Sequence, residues 1–320
     1  MITVLPSHLP TESKLPVCRC CGSSQTAYVG QKRGEVLDRQ FQYYRCADCG
    51  FLFVSPFLGP EIYNDDYYRG KGPDPFVDYE REYQSYRTTD RILEFNDLVR
   101  LAEKNLLADT VGGQIRWFDF GCGSGGLLKF LRDRGACRVG ERVLPLKISG
   151  HDVGVWADRL RDKDGFEIFD FTQLNSIPDG SFDVISMVEV LEHIPHPQEV
   201  ISLAARLLAP GGFLLLTTGN LNCAAARKDG LNYRYCMSEI HISLLNPGCL
   251  ELLYQRAGLL PVKVNYKGVV AFKVVKSVTP AWTKPLARLL VQVPVILKLI
   301  DRRYGVSAMP CARKPLLAKT

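Results

Sequence analysis

The stretch DFGCGSGG, from Asp119 to Gly126, follows the apolar run IRWFDF and decides which fold the chain adopts. Its glycines at 121, 123 and 126 satisfy the G-x-G-x-x-G pattern of dinucleotide-binding loops. With Gly125 in place of Gly126, the stretch also satisfies a shorter pattern, acid-x-G-x-G-x-G. Glycines between a strand and a helix let the backbone approach a ligand closely, because side chains would block that approach. The stretch therefore predicts a cofactor loop and leaves two patterns to be separated.

Asp119 separates the two patterns by its charge. A pyrophosphate, as in NAD, is dianionic, and a carboxylate two residues before the first glycine would repel it. S-adenosylmethionine carries an ammonium and a sulfonium, which the same carboxylate attracts. Asp152, at the end of a second predicted strand, KISGHDV, can accept hydrogen bonds from the ribose hydroxyls of either cofactor. The loop therefore favours S-adenosylmethionine, and an NAD-dependent oxidoreductase is the lesser alternative.

The composition is that of a globular chain. The 320 residues are 46% hydrophobic and carry a formal net charge of +6. Residues 261–320 hold 12 Lys/Arg and one acid, Asp301, so the basic surplus lies in the C-terminal part. This distribution argues against a nucleic-acid-binding domain. Residues 1–16 lack the features of a secretory signal, and no apolar window of about 18 residues occurs, so we expect a cytoplasmic protein.

Two cysteine pairs near the N-terminus have the spacing of a metal site. Cys18 and Cys21, and then Cys46 and Cys49, each form a C-x2-C pair followed by glycine. This pairing predicts a zinc ribbon with four thiolate ligands, although the separation of the pairs is slightly longer than the commonest one. Cys20 is then the spare thiol. Four thiolates leave no open coordination position, so the zinc is expected to be structural.

The rest of the chain alternates strand and helix patterns, which predicts a doubly wound, Rossmann-like α/β fold with a mainly parallel sheet. VKVNY and VVAFKVV are predicted to close the sheet as an antiparallel hairpin, and GERVLPL resembles an insertion before the second strand. The predicted divisions are a flexible N-terminus (1–16), the zinc ribbon (17–55), a connector (56–85), the main domain (86–278) and a basic, apolar extension (279–320).

The run SFDVISMVEVLEHIPHPQEV, followed by LAPGGFLLLTTGN, resembles class I S-adenosylmethionine-dependent methyltransferases. The resemblance covers roughly residues 86–275, and five motifs occur in family order: DFGCGSG, GHD, FDF, FDVISMVEVLEHI and LAPGGFLLLTT. It implies a cofactor loop at Asp119, Gly121, Gly123 and Gly125 and a ribose-binding acid at Asp152. It further implies an adenine site flanked by Asp170 and Phe171 and a methionine end near Val188 and Glu189. Phe171 and Val188 fit equally well as core residues.

The zinc ribbon, the aromatic connector and EVLEHI together resemble methyltransferases that act on sugars and in polysaccharide pathways. The resemblance implies a small-molecule or glycan acceptor. In the sugar C-methyltransferases an acid–histidine pair with a nearby tyrosine deprotonates the acceptor, and this chain has Glu239, His241 and Tyr235 in that region. His241 is the first candidate for the general base, and a purely hydrogen-bonding histidine is the alternative. A ribosomal RNA methyltransferase, with the ribbon contacting RNA, is a second hypothesis.

The basic C-terminal stretch KPLARLLVQVPVILKLIDRRYG, residues 284–305, has two interpretations. It is too short and interrupted to span a membrane. It could lie on an anionic membrane surface, or it could be helix packed on the domain or in a subunit interface. Pro294 argues against one continuous helix.

Overall fold

The computed structural model describes residues 15–74, 79–277, 281–305 and 309–316. In the described residues the strands are, in chain order, β1 (Thr26–Arg33), β2 (Gln40–Cys46), β3 (Leu52–Val54), β4 (Ile115–Phe120), β5 (Ala136–Val139), β6 (Arg142–His151), β7 (Glu167–Phe169), β8 (Phe182–Val188), β9 (Leu208–Thr217), β10 (Ser243–Leu244), β11 (Leu260–Val262) and β12 (Cys311–Arg313). The α-helices are α1 (Tyr79–Ser85), α2 (Arg91–Asn105), α3 (Gly126–Arg134), α4 (Trp156–Asp162), α5 (Pro197–Leu207), α6 (Ala224–Asp229), α7 (Pro247–Arg256), α8 (Lys267–Ser277), α9 (Lys284–Leu290) and α10 (Pro294–Tyr304).

The large sheet has β4 at its centre. Its strand order is β11-β12-β9-β8-β4-β6-β5, with β7 also paired to β6. Strands β7, β6, β4, β8 and β9 are parallel neighbours, whereas β12 is antiparallel to β9 and β11 is antiparallel to β12. The predicted doubly wound α/β fold with a mainly parallel sheet is therefore confirmed. Because the parallel strands end at one edge, the loops after β4, β6 and β8 meet there.

Apart from Arg116 and Asp119, strand β4 is apolar because both faces of the sheet are covered. Ile115, Trp117 and Phe118 are completely buried, and such strands have continuous apolar runs. GERVLPL, which resembled an insertion, completes an antiparallel hairpin in which β5 pairs with the beginning of β6. The hairpin lies at the opposite end of β6 from Asp152, so it leaves the position of that carboxylate after the strand unchanged.

The prediction that VVAFKVV is a strand of the closing hairpin is wrong. The segment lies in helix α8, which packs along α2, and the strand that pairs with β11 is β12, Cys311–Arg313, from the predicted extension. The β-branched residues favour a strand, but Val269, Val270 and Val275 are buried in the helix. On α2, the Asp97 carboxylate accepts a hydrogen bond from the Val269 N–H at 3.2 Å, where α8 begins. Tertiary contacts therefore override the local preference.

The C-terminal extension forms two helices rather than one. Pro294 occupies the first turn of α10, where its missing N–H costs no hydrogen bond, and α9 ends before it. Among the described residues, no helix combines the length and apolar character that a membrane span needs.

The cysteine-rich segment shares its sheet with the main domain. The small sheet has the order β1-β2-β3-β10, and β10 belongs to the chain after β9. Ser243 pairs with Phe53 and Leu244 with Leu52. The N-terminal strands are thus continuous with the segment that carries the predicted acceptor residues.

We predict that Gly268→Ala destabilises the protein although alanine is usually the better helix former. A Cβ at this position would contact the Leu93 carbonyl oxygen of α2 and lie 2.7 Å from the Asp97 Cβ, so α8 would have to move away from α2. The free energy of unfolding, measured by urea denaturation, should fall by about 1–3 kcal/mol. Gly113→Ala, where a Cβ meets nothing within 4 Å, is the control. Equal or greater stability of Gly268→Ala would contradict the prediction.

Candidate functional site

The loop after β4 has the left-handed backbone that glycine permits. Gly121, Gly123 and Gly125 have φ values of 73°, 53° and 77°, a region that other residues rarely adopt. A Cβ on Gly121 would lie 2.5 Å from Val190 Cγ2. Helix α3 begins at Gly126, so the fourth glycine of the stretch belongs to the helix. The loop therefore presents its backbone at the carboxyl edge of the sheet, as a cofactor loop requires.

Two carboxylates flank this loop. Asp119 is buried at the end of β4, and its Oδ1 accepts a hydrogen bond of 2.6 Å from the Ser186 hydroxyl. Burial raises the pKa of Asp119 to about 7. Asp152 accepts a hydrogen bond from the Gly123 N–H at 2.7 Å and a second from the Tyr68 hydroxyl at 3.1 Å. A buried carboxylate next to an open glycine loop fits a cationic ligand such as S-adenosylmethionine.

The residues predicted to flank the adenine lie at the end of β7. The Asp170 carboxylate accepts hydrogen bonds from the Thr172 hydroxyl at 2.6 Å and the Gln173 N–H at 2.9 Å, which shapes the turn. Phe171 is 68% exposed, so the core-residue alternative does not describe it, and its ring is available to a ligand. Val188, at the end of β8, is half-buried.

The connector covers the glycine loop, which the sequence analysis did not predict. Tyr67, Tyr68 and Trp156 are buried in one aromatic cluster against which Tyr63 and Tyr79 pack. A Cβ on Gly123 would lie 3.1 Å from the Tyr79 ring. The density of tyrosines between residues 63 and 83 is the signal in the sequence that could have indicated a cover.

An ion cluster lies beside this cover. Glu82 accepts a hydrogen bond of 2.9 Å from the Ser124 hydroxyl in the glycine loop and pairs with Arg91 at 2.9 Å. Arg91 also lies 3.3 Å from Glu94, whose two carboxylate oxygens are buried without a hydrogen bond from the described residues. Arg91 and Glu82 are thus polar groups that the sequence analysis missed, within reach of a ligand on the loop.

A second polar cluster follows strands β8 and β9. Glu189 has a φ of 55°, the one positive value among described residues other than glycine, and such strain occurs often at functional sites. Its carboxylate pairs with Lys273 of α8 at 3.0 Å and accepts a hydrogen bond from the Tyr235 hydroxyl at 3.2 Å. Tyr235 also hydrogen-bonds to Glu192, which accepts a further bond from the Thr218 hydroxyl at 2.8 Å.

The ionisation of this cluster follows from burial and from its own charges. Burial, with repulsion from Glu189, raises the pKa of Glu192 to about 8. Burial lowers the pKa of His193 to about 4, so its ring is neutral near pH 7. Burial and the two glutamates raise the pKa of Tyr235 well above its usual value. Tyr235 is therefore a proton donor that holds the two carboxylates together.

The structure brings His241 to the same cluster. Its ring lies 4.3 Å from the Tyr235 ring and 4.9 Å from the His193 ring. Nδ1 of His241 is 2.7 Å from the Tyr235 carbonyl oxygen. Because a carbonyl only accepts, Nδ1 carries the proton and the lone pair of the neutral ring is on Nε2. This tautomer is the one that a general base acting through Nε2 requires.

Glu239 lies elsewhere. Its carboxylate is buried and accepts hydrogen bonds of 2.9 to 3.0 Å from the backbone N–H groups of Glu35, Val36 and Leu37. The side chain therefore anchors the loop between β1 and β2, and the structure does not bring it to His241 and Tyr235.

The four predicted zinc ligands converge. The Sγ atoms of Cys18, Cys21, Cys46 and Cys49 all lie within 4.8 Å of one another, with the Cys18–Cys49 pair at 3.7 Å and the Cys21–Cys46 pair at 3.5 Å. Four converging thiols fit a tetrahedral zinc ion. Cys20 is not isolated, since its Sγ lies within 4.8 Å of those of Cys49 and Cys249, the latter on α7. Cys20, Cys49 and Cys249 therefore form a second cluster of thiols, which joins the cysteine-rich segment to α7.

A glycine loop, two carboxylates at strand ends and an adjacent acid–histidine cluster thus lie together on this sheet. The methyltransferase-domain family matches residues 81–264, and the chain belongs to this family. The match spans the glycine loop, the EVLEHI segment, Tyr235 and His241.

Curated relatives are similar to part of the chain. A protein of Xanthomonas oryzae pv. oryzae named ubiquinone biosynthesis O-methyltransferase is 35% identical over 133 residues, which are 40% of this chain and 52% of that protein. A protein of the same name from Pseudomonas aeruginosa is 31% identical over 153 residues, 44% of this chain and 61% of that protein. The chain thus spans a little more than half the length of these relatives. A solved S-adenosylmethionine-dependent methyltransferase from Archaeoglobus fulgidus is 15% identical, with 70% of this chain and 92% of that chain covered and a TM-score of 0.41.

We predict that S-adenosylmethionine binding at pH 7 releases protons from Asp119. The pKa of this carboxyl is about 7, and a bound cation favours its ionised form. Isothermal titration calorimetry in two buffers of different ionisation enthalpy should give proton release near pH 7 and less at pH 8.5, where Asp119 is already ionised. Asp119→Asn should abolish the release, whereas Asp170→Asn should retain it. Binding to the wild type without proton release at pH 7 would contradict the prediction.

We predict that Cys46→Ser loses bound zinc, whereas Cys20→Ser retains one zinc per chain. The first change removes one of four thiolate ligands, and the second changes a thiol outside that set. Inductively coupled plasma mass spectrometry of the purified variants measures the metal content. Loss of zinc from Cys20→Ser with retention in Cys46→Ser would instead indicate the group formed by Cys20, Cys49 and Cys249.

Proposed function

We propose that the protein is an S-adenosylmethionine-dependent methyltransferase that methylates a hydroxyl oxygen of a small molecule. One observation carries the proposal: a short stretch of the connector, from Tyr63 to Tyr68, contacts both halves of the site. Tyr68 donates to Asp152 on the cofactor side, and the Tyr63 hydroxyl lies 3.0 Å from Nδ1 of His193 beside the second cluster. The family match and the names of the relatives support the reaction class.

In this proposal the cofactor supplies an electrophilic methyl group on a sulfonium. Asp152 would accept the ribose hydroxyls, and the loop from Gly121 to Gly125 would hold the methionine end near Asp119. The adenine would lie against Phe171, beyond Asp170, with Val188 and Glu189 lining the donor side. The tyrosine cover would exclude water, which strengthens the electrostatic interactions inside the site.

His241 is the proposed general base. Nε2 would take the proton of the acceptor hydroxyl while the oxygen attacks the methyl carbon, since an oxygen nucleophile is far stronger without its proton. The hydrogen bond from Nδ1 to the Tyr235 carbonyl would hold the ring orientation and stabilise the imidazolium that forms. Tyr235 acts as a positioning residue through its backbone and through the two glutamates.

The paired carboxylates suggest which hydroxyl groups are bound. Glu189 and Glu192 lie on either side of the Tyr235 hydroxyl, and two adjacent carboxylates suit an acceptor with neighbouring hydroxyls. Both a dihydroxyaromatic compound and a sugar have this feature. We place the dihydroxyaromatic class first because the relatives are named O-methyltransferases of ubiquinone biosynthesis, and the glycan acceptor second.

An RNA acceptor is less well supported by the ribbon. Lys32 pairs with Glu35 at 2.6 Å, and Arg33 pairs with Asp38 at 2.9 Å. These pairs neutralise cations that would otherwise contact phosphates. We therefore include RNA only as one of the substrates in the acceptor test described next.

The acceptor test measures transfer of a radiolabelled methyl group to a dihydroxyaromatic panel, to sugar nucleotides and to RNA, with product masses as confirmation. Methylation of a hydroxyl on a small molecule is expected. Methylation of RNA alone, or no methylation of any class despite cofactor binding, would contradict the proposed function.

We predict that His241→Ala lowers kcat by on the order of 100- to 10,000-fold because the acceptor proton is no longer removed by a positioned base. The affinity for S-adenosylmethionine, measured by calorimetry, should be unchanged. His196→Ala, at an exposed histidine before α5, is the matched control and should retain full activity. Unchanged kcat for His241→Ala would remove this histidine as the base.

A further inference from the structure

Helices α9 and α10 expose an unusual amount of apolar surface. Among the described residues, nineteen large hydrophobic side chains are exposed, and seven of them lie within residues 282–299. These seven are Trp282, Leu286, Leu289, Leu290, Val293, Val295 and Leu299. Trp282 is 80% exposed. Single exposed apolar residues are ordinary, but a contiguous group marks an interaction surface.

The two helices are held on the domain by their other faces. Ala287 and Val291 are buried in a cluster that includes Val275 of α8. Asp90, before α2, pairs with Arg288 at 2.5 Å and with Lys284 at 3.5 Å. The exposed leucines are therefore an outward face of anchored helices, which we call the α9–α10 face (Trp282 to Arg303).

Cations are interleaved with these apolar residues. Lys298, Arg302 and Arg303 are exposed on α10, and their spacing places them on the same side of the helix as Val295 and Leu299. Between residues 282 and 305 the single acid is Asp301. Tryptophan, leucine and basic residues on one face are the composition of helices that lie in the interface of an anionic bilayer.

A second copy of the chain is the competing occupant, and charge argues against it. A twofold interface would place each α9–α10 face against an identical face. The α10 part of this face presents three exposed cations, Lys298, Arg302 and Arg303, and the one acid between residues 282 and 305 is Asp301. A symmetric dimer through this face would therefore bring like charges together, whereas an anionic lipid surface would neutralise them.

We infer that the α9–α10 face binds the surface of an anionic membrane, with Trp282 and the leucines inserted at the headgroup boundary and the cations of α10 against lipid phosphates. The helices contact the lipid in the plane of the membrane and do not cross it. This contact depends on no methyl transfer.

The α9–α10 face is connected to the polar cluster of Glu189 and Tyr235. Helix α8 contributes Lys273 to Glu189 and packs against both α9 and α10. At the end of α10, the Gly305 carbonyl accepts a hydrogen bond of 2.8 Å from Asn220, which follows β9. The membrane-binding helices are thus connected to the second polar cluster through α8 and through Asn220.

Vesicle co-sedimentation of the full chain tests the inference. Vesicles of phosphatidylcholine are compared with vesicles of equal parts phosphatidylcholine and phosphatidylglycerol, and binding is expected to the second and to weaken in high salt. The triple variant Lys298→Glu, Arg302→Glu, Arg303→Glu should lower the partition coefficient by on the order of 100-fold or more, since each lost cation removes about a fivefold contribution at the surface.

The apolar contribution is tested separately with Leu286→Ser, Leu289→Ser, which should lower binding at least 10-fold. Lys163→Glu and Val143→Ser, at exposed positions outside the face, should bind as the wild type does. Circular dichroism and thermal unfolding confirm that each variant is folded.

Three results would overturn the inference. The first is equal sedimentation with neutral and anionic vesicles. The second is binding by the face variants at the wild-type level. The third is a wild-type dimer, measured by light scattering, that Leu286→Ser, Leu289→Ser converts to a monomer, since this would identify a second copy as the occupant. Vesicle binding with no methylation of any acceptor would leave the inference standing and count against the proposed function alone.

Discussion

The carboxylate of Asp119 is the group on which the site depends, and its ionisation is supported by a buried chain of hydrogen bonds. The Trp117 indole N–H donates to the Ser186 hydroxyl at 2.9 Å, and that hydroxyl donates to Asp119 at 2.6 Å. Both donors point the same way, so the chain is polarised toward the carboxylate. Burial opposes the charge. The balance keeps the group close to half-ionised near pH 7, so that a bound cation can complete its ionisation.

The glycine loop, the parallel strands and the cysteine pairs could be predicted from the sequence because each depends on local spacing. Asp119 and Asp152 follow apolar runs, and their place at the edge of the sheet follows from strand order alone. The helix VVAFKVV could not be predicted locally, because Gly268 and Asp97 determine it through contacts with α2, distant in sequence. Strand β12 could not be predicted locally either, since only its pairing with β9 identifies it as a strand.

The candidate site was predictable to a similar degree. Tyr235 and His241 are close in sequence, and the structure keeps them together. Glu239 lies between them and points toward the β1–β2 loop instead. Its segment is neither a helix nor a strand, so the spacing along the chain does not determine which side chains share a face. Tyr68 and Arg91 precede the recognisable motifs. The tyrosine-rich composition of residues 63–83 indicates a buried aromatic segment but not that it packs over the glycine loop.

The cysteine-rich N-terminal segment shares a sheet with the segment that carries the proposed base and is not an appended module. The segment that carries Tyr235 and His241 is held by ribbon residues at several points. Lys32 donates to the Cys236 carbonyl, and Tyr43 hydrogen-bonds to Ser238 at 3.0 Å. Strand β10, two residues after His241, extends the ribbon sheet. A structural zinc ion in the ribbon would therefore stiffen the position of the proposed base, although it lies outside the reaction.

The charges around the site favour binding of a donor with a positively charged sulfur over binding of the product, whose sulfur is uncharged. Six carboxyl groups line the two clusters, namely Glu82, Glu94, Asp119, Asp152, Glu189 and Glu192. Two cations, Arg91 and Lys273, balance them in part. Because methyl transfer removes the positive charge from sulfur, the carboxyl groups that are ionised at pH 7 would interact more weakly with the product than with the donor. Glu192, whose pKa is about 8, is largely protonated at that pH and contributes little. The same electrostatics that attract the cofactor would thus promote its release after reaction.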